Sequence, residues 1–119
     1  MTNVHCDVAV PSTDRECDSR HFWMSAVSQR RYVLEGWAYT ARSGDWTDPF
    51  WGSPTLLVAN DRVFTHPDVG ALRSFTVDHA VEWLLVDRRA PVNLAVLRTL
   101  PTVEQVFKQG HYVVLRIED

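Results

Sequence analysis

The sequence predicts a small α/β domain of two or three layers, built on a mixed, mainly parallel sheet that ends in an antiparallel hairpin. Three observations predict it. Short runs with the period of two expected of strands alternate with stretches of helical spacing. The run AVEWLLVDRR has an unbroken apolar centre, the pattern of a strand covered on both faces. The C-terminal stretch VEQVFKQGHYVVLRIED holds two β runs meeting near Gln109 and Gly110, which reads as a hairpin.

In chain order, Val4, Cys6, Val8 and Val10 alternate with Asn3, His5, Asp7 and Ala9, a strand pattern. Pro11, Ser12, Thr13 and Asp14 break it as a loop. A short helix is expected from Asp18 or Ser19, because Phe22 and Ala26, then Trp23 and Val27, stand four residues apart on one face. RRYVLEGWAY is a second strand, with Val33, Glu35, Trp37 and Tyr39 sharing a face. TARSGDWTDPFWG is a loop of turn formers that also carries Trp46, Phe50 and Trp51.

Ser53 followed by Pro54 opens a helix, an N-cap residue before proline at the first helical position. That helix runs through Leu56, Leu57 and Asn60 towards Phe64. After His66 and Pro67, Asp68 caps another helix through Leu72 and Phe75. A shorter helix is expected around residues 92–97, between the AVEWLLVDRR strand and the hairpin.

At 119 residues the chain reads as a single soluble domain, large enough to bury a core. Its 45% apolar and 23% charged content is that of an ordinary globular protein. The net charge of −3, with basic residues scattered rather than striped, argues against a nucleic-acid partner. No apolar run approaches the roughly 20 residues needed to cross a bilayer. Nor does the N-terminus carry the basic and apolar regions of a signal peptide, so the residues alone read as cytoplasmic.

Four groups of residues invite a functional reading. His5, Cys6, Cys17 and His21 have the atoms of a tetrahedral zinc site, but neither cysteine has a close cysteine partner. A Cys6–Cys17 disulfide is more economical, worth about 3 kcal/mol by loop entropy, and free thiols remain open for a chain without a signal peptide. Glu35 stands between Val33 and Trp37; buried there, its pKa would rise unless Arg30, Arg31 or Arg88 paired with it, and the ion pair is the plainer use.

Asp87 ends the strongest strand, where ligands collect in open α/β sheets but where a strand also simply meets solvent. Trp46 and Trp51, with Asn60 and Asp61 further on, offer the aromatic faces and polar groups of a sugar-binding surface; packing over the sheet would use the same residues. Glu35, Trp37, Trp46, Trp51, Asn60, Asp61 and Asp87 are therefore the candidate binding residues. No phosphate loop, G-x-S-x-G, H-E-x-x-H or C-x-x-C motif is present, so no catalytic residues and no cofactor are expected. A small autonomous enzyme or metal-binding protein using Glu35, Asp87 or the Cys/His group is the alternative.

Taken in order, CDSRHFWMSAVSQRRYVLEGWAY, FWGSPTLLVANDRVFTHPD, AVEWLLVDRR and YVVLRIED resemble the C-terminal soluble region of large actinobacterial polytopic membrane proteins, many of them uncharacterised. Their membrane part is similar to multi-spanning glycosyltransferases that use polyprenyl-linked sugar donors. The resemblance covers the chain from Thr2 onward. Its most specific marks are the arginine pair leading into E-G-W-A-Y, and an Asn-Asp helix followed by W-L-x-V-D-R.

There are two departures from the family pattern. The family strand ending in T-N starts further upstream, whereas Thr2 and Asn3 here follow Met1 directly. The family glycine before the W-L-x-V-D-R strand is replaced by Asp78, His79 and Ala80. No catalytic residue is carried over.

The resemblance implies a domain excised from a larger integral membrane protein, lying on the extracytoplasmic side of the plasma membrane. Its partners would be the membrane domain of the same parent chain and envelope carbohydrate. Its role would be accessory, in cell-envelope assembly. In that oxidising location a Cys6–Cys17 disulfide is expected to persist.

Overall fold

A computed structural model of the chain describes residues 1–3, 23–33 and 54–118. It contains α1 (Trp23–Ser28), α2 (Pro54–Thr65), α3 (Val69–His79), β1 (Trp83–Asp87), α4 (Leu94–Leu97), β2 (Val103–Gln109) and β3 (Tyr112–Ile117). The strand expected from Val4 to Val10 and the loop around Trp46 lie outside the described residues, as does nearly all of the strand from Tyr32 to Tyr39.

Pro54 is the first residue of α2, a position that suits its fixed φ and missing N–H. Asn60, Val63 and Phe64 form the buried stripe of α2, and Leu56 and Ala59 extend it half-buried. The helix ends where the Thr65 hydroxyl donates to the Asp61 carbonyl at 2.8 Å and Pro67 follows. Asp68 then caps α3 as expected: its Oδ1 accepts from the Ala71 N–H at 2.7 Å. Leu72 and Phe75 are the buried residues of α3 and join the same core.

Ala80 terminates α3 in the left-handed conformation, φ 51° and ψ 43°. This is where a glycine normally sits, and the backbone N–H groups of Ala80 and Val81 turn back to the Phe75 carbonyl in its place. The chain then enters β1. Leu84 and Val86 face Val113 and Leu115 of β3, and all four are fully buried beneath the helices. Each large apolar side chain so buried contributes about 1.5–3 kcal/mol. Leu97 of α4, whose N-cap is Asn93, is the other fully buried leucine of this half.

The sheet is three-stranded and antiparallel, in the order β1-β3-β2. The domain is thus a small α/β one, with a hairpin at its C-terminal end as expected. The mainly parallel sheet is not found among the described strands. Their single parallel pairing is an isolated bridge between Thr2 and Leu85. There, the Met1 amino group donates to the Trp83 carbonyl at 2.7 Å and the Leu85 N–H to the Met1 carbonyl at 2.9 Å, so residues 1–3 run along the free side of β1.

The β2–β3 hairpin closes through Gly110 and His111, with Gln109 paired to Tyr112. Gly110 takes φ 56°, which only glycine adopts without strain. An irregularity between Gln105 and Phe107 shifts the register of β2, an edge strand exposed along nearly its whole length.

The two faces of β1 differ, which departs from the sequence expectation. One is sealed by the helices. On the other, Trp83 is 41% exposed and Leu85 is only half-buried, beside the half-buried Val114 of β3. Uninterrupted apolarity marked the strand correctly but did not distinguish a covered second face from a partly open one.

Candidate functional site

Two features of the fold bear on function. One is a polar latch at the carboxyl end of β1, and the other is a cavity on the open face of the sheet.

The latch is built by three short pieces of chain. The Asn3 side chain accepts from the Asp87 N–H at 2.8 Å and donates to the Asp87 carbonyl at 2.9 Å, replacing one rung of a strand ladder. The Asp87 carboxylate accepts from the backbone N–H of Arg89 at 2.9 Å and from its guanidinium at 2.7–3.2 Å. The same Arg89 reaches the Tyr112 hydroxyl at 3.3 Å, and its guanidinium carbon lies 5.8 Å from the Tyr112 ring centre. The guanidinium beside Asp87 holds its carboxyl below the usual carboxylate range, against the opposing push of burial. A carboxylate in that state stays ionised at neutral pH and is ill placed to shuttle protons.

Asn60 belongs to the neighbouring part of the core rather than to a surface. Fully buried on α2, it donates to the Thr2 carbonyl at 3.1 Å and to the Asp61 carboxylate at 3.3 Å. Its own Oδ1 is buried without a hydrogen-bond partner. Asn60 thus anchors Thr2 while Asn3 anchors Asp87, and both residues fasten the start of the chain to the body of the domain. Asp61 is half-buried beside Asn60. The proposed sugar-contacting role of Asn60 therefore meets a side chain with no solvent access.

The cavity opens on the other side of β1, with a volume of about 470 Å³. Leu85, Val114 and Val81 supply aliphatic wall, Trp83 an aromatic one, and Met1 a further apolar side. Val27 of α1 and Val33 close it from the other direction. Its polar lining is Ser28, Arg30, Arg31, Tyr32, His79 and Glu82.

Local structure explains the placement of the arginines. Gln29 leaves α1 in the left-handed conformation, φ 54°, and the Arg30 N–H bonds to the Ser28 hydroxyl at 3.3 Å. The backbone therefore turns at residues 28–30 and delivers Arg30 and Arg31 to the cavity lining. Both are exposed, and among the described residues neither guanidinium has an ion-pair partner.

Of the residues singled out in the sequence, Glu35, Trp37, Trp46 and Trp51 lie outside the described residues, as do His5, Cys6, Cys17 and His21. Asn60 and Asp87 are buried near one another through Thr2 and Asn3, a juxtaposition the sequence did not announce. The cavity residues were also missed as a group. The sequence places Trp83 in a covered strand and offers the arginine pair as a partner for Glu35. The available signal was a tryptophan at the start of an apolar strand, where a polar residue would be the plainer choice for an exposed position.

Among the described residues no cluster of three or more His, Cys, Asp or Glu could hold a metal ion. Nor is any helix there long and apolar enough to cross a membrane. Compared with known proteins, the chain matches no family model, no curated protein and no solved structure.

Proposed function

We propose that this chain is a non-catalytic accessory domain of an integral membrane protein, placed on the extracytoplasmic side and serving to bind carbohydrate or a partner in cell-envelope assembly. The observation that carries the binding role is the open cavity on the second face of the sheet. A large apolar wall with an exposed tryptophan is costly to leave in water, and such surfaces are kept where something docks. The state of Asp87 argues in the same direction, since the acid at the ligand-prone end of β1 is spent on an ion pair. Chemistry would then belong to the membrane domain of the parent chain. The finer architecture expected from the sequence, a mixed and mainly parallel sheet in two or three layers, is part of this proposal; the isolated parallel Thr2–Leu85 bridge supports a mixed sheet, while the described strands pair antiparallel.

The location is tested by thiol chemistry on intact cells producing the natural protein. A membrane-impermeant maleimide is applied with and without prior reduction, and the mass of the fragment bearing Cys6 and Cys17 is read. Labelling of both cysteines only after reduction is the expected result. Labelling that requires cell lysis would place the domain inside and remove the envelope reading.

A further inference from the structure

We infer that the cavity between α1 and the open face of β1 and β3 binds a small anionic amphiphile, its apolar body on Trp83, Leu85 and Val114 and its carboxylate or phosphate head on Arg30 and Arg31. The inference rests on the reading of this cavity as a binding site and names the chemistry it would select.

Size, lining and charge converge on that class of ligand. A volume of about 470 Å³ falls within the range of about 300–1,000 Å³ typical of small-molecule sites. The walls formed by Leu85, Val114, Val81 and Met1 present aliphatic surface and no hydrogen-bonding side chains, which suits the hydrocarbon of an amphiphile. Hydrocarbon placed there would also cover the part of Trp83 that the fold leaves in water.

The head group is assigned to two consecutive arginines of the lining, which make no ion pair among the described residues. Arginine offers carboxylate and phosphate a planar, two-pronged donor set, and the bond is charge-assisted. Glu82 contributes one negative charge to the same lining, so two arginines against one carboxylate still leave an excess of positive charge. The head group common to fatty acids and alkyl phosphates is the chemistry selected, whichever of the two carries it.

The test uses the whole chain, labelled for methyl and amide NMR, titrated separately with decanoate, decyl phosphate, decanol and inorganic phosphate. The expected result is saturable shifts at Leu85, Val114 and the Trp83 indole with both anionic amphiphiles. Decanol should bind about tenfold more weakly, the difference a charge-assisted bond makes, and inorganic phosphate should leave the three residues unmoved. The Arg30→Gln/Arg31→Gln double variant alters two exposed positions, so its fold should be kept. In it the anionic amphiphiles should bind no better than decanol.

Equal binding of decanol and decanoate, or an unchanged preference in the double variant, overturns the inference while leaving the cavity as an apolar binding site. Equal shifts with inorganic phosphate overturn it too, since the apolar body would then play no part. If no amphiphile moves Leu85, Val114 or Trp83, both the inference and the binding role of this cavity fall.

Discussion

In a chain that begins at Met1, the α-amino group is buried against β1 and donates to the Trp83 carbonyl at 2.7 Å. Burial alone pulls its pKa from 8.0 down to about 5. Carbonyl oxygen accepts from a neutral amine and from an ammonium alike, but the ammonium loses far more hydration on entering the fold. In the unfolded chain the amine takes a proton below about pH 8, whereas in the folded chain it does so only below about 5.

Between those values the unfolded state holds more protons, so stability rises with pH and is lost as pH falls from 8 towards 5. A fall from 8.0 to about 5 corresponds to about 4 kcal/mol at about 1.4 kcal/mol per pH unit, a large part of a small domain's stability. Acetylating Met1, or adding one residue before it, replaces the amine with an amide N–H. The amide makes the same bond and never ionises.

The assay is urea unfolding of the free and the acetylated chain at several pH values from 5 to 8.5. The other ionisable groups act equally on both forms and cancel in the difference. The two forms should agree closely above pH 8 and diverge by several kcal/mol at pH 5, the acetylated form being the more stable. Parallel curves across the whole range would refute the burial of this amine.

Three further outcomes follow from the geometry. Ala80→Gly removes a left-handed penalty of about 1–2 kcal/mol for a side-chain-bearing residue and gives back about 0.4–1 kcal/mol of unfolded-chain entropy, so thermal or urea unfolding should show a net gain of about 0.5–1 kcal/mol. Gly110→Ala should lose a similar amount by the reverse argument, because a Cβ there meets nothing within 4 Å and only backbone strain acts. Asn3→Leu strands the buried N–H of Asp87, whose carbonyl keeps the Ala90 N–H, and should cost about 1–3 kcal/mol in urea unfolding. Asp87, its carboxyl pKa lowered by Arg89, stabilises the fold above the ordinary carboxylate pKa and loses that contribution as pH falls through its own lower value; a carbon-detected NMR titration should find it below 3.8, and Asp87→Asn should flatten this part of the acid limb.

Much of the local structure could be read from single residues. Pro54 marked the start of α2, Asp68 the cap of α3, and Gly110 the turn of the hairpin, because each acts through its own backbone or the next few residues. Pairing direction was less legible. Helices between strands suggested a parallel sheet, but β1 instead pairs antiparallel with β3, a choice made by contacts some thirty residues apart.

Ala80 shows a different limit. Alanine at the left-handed end of a helix gives no sign of its conformation, which the packing of Phe75 and Val81 into the core imposes. The latch was hidden for a related reason. Asn3 and Asp87 are far apart in the chain, and nothing in either residue says that an amide will stand in for a strand rung. The cavity depends on which face of β1 the helices cover. An unbroken apolar run carries no information about that.

The binding role and the amphiphile site both depend on the open second face of the sheet, and a solvent-accessibility measurement on assigned methyl groups tests it most directly. A neutral paramagnetic agent is added to the free chain and the methyl signals are followed. Leu85 and Val114 should bleach well ahead of Leu84, Val86, Val113 and Leu115, which are sealed on the opposite face. Equal protection of all six would mean that the second face is covered, and both the binding role and the amphiphile site would have to be withdrawn.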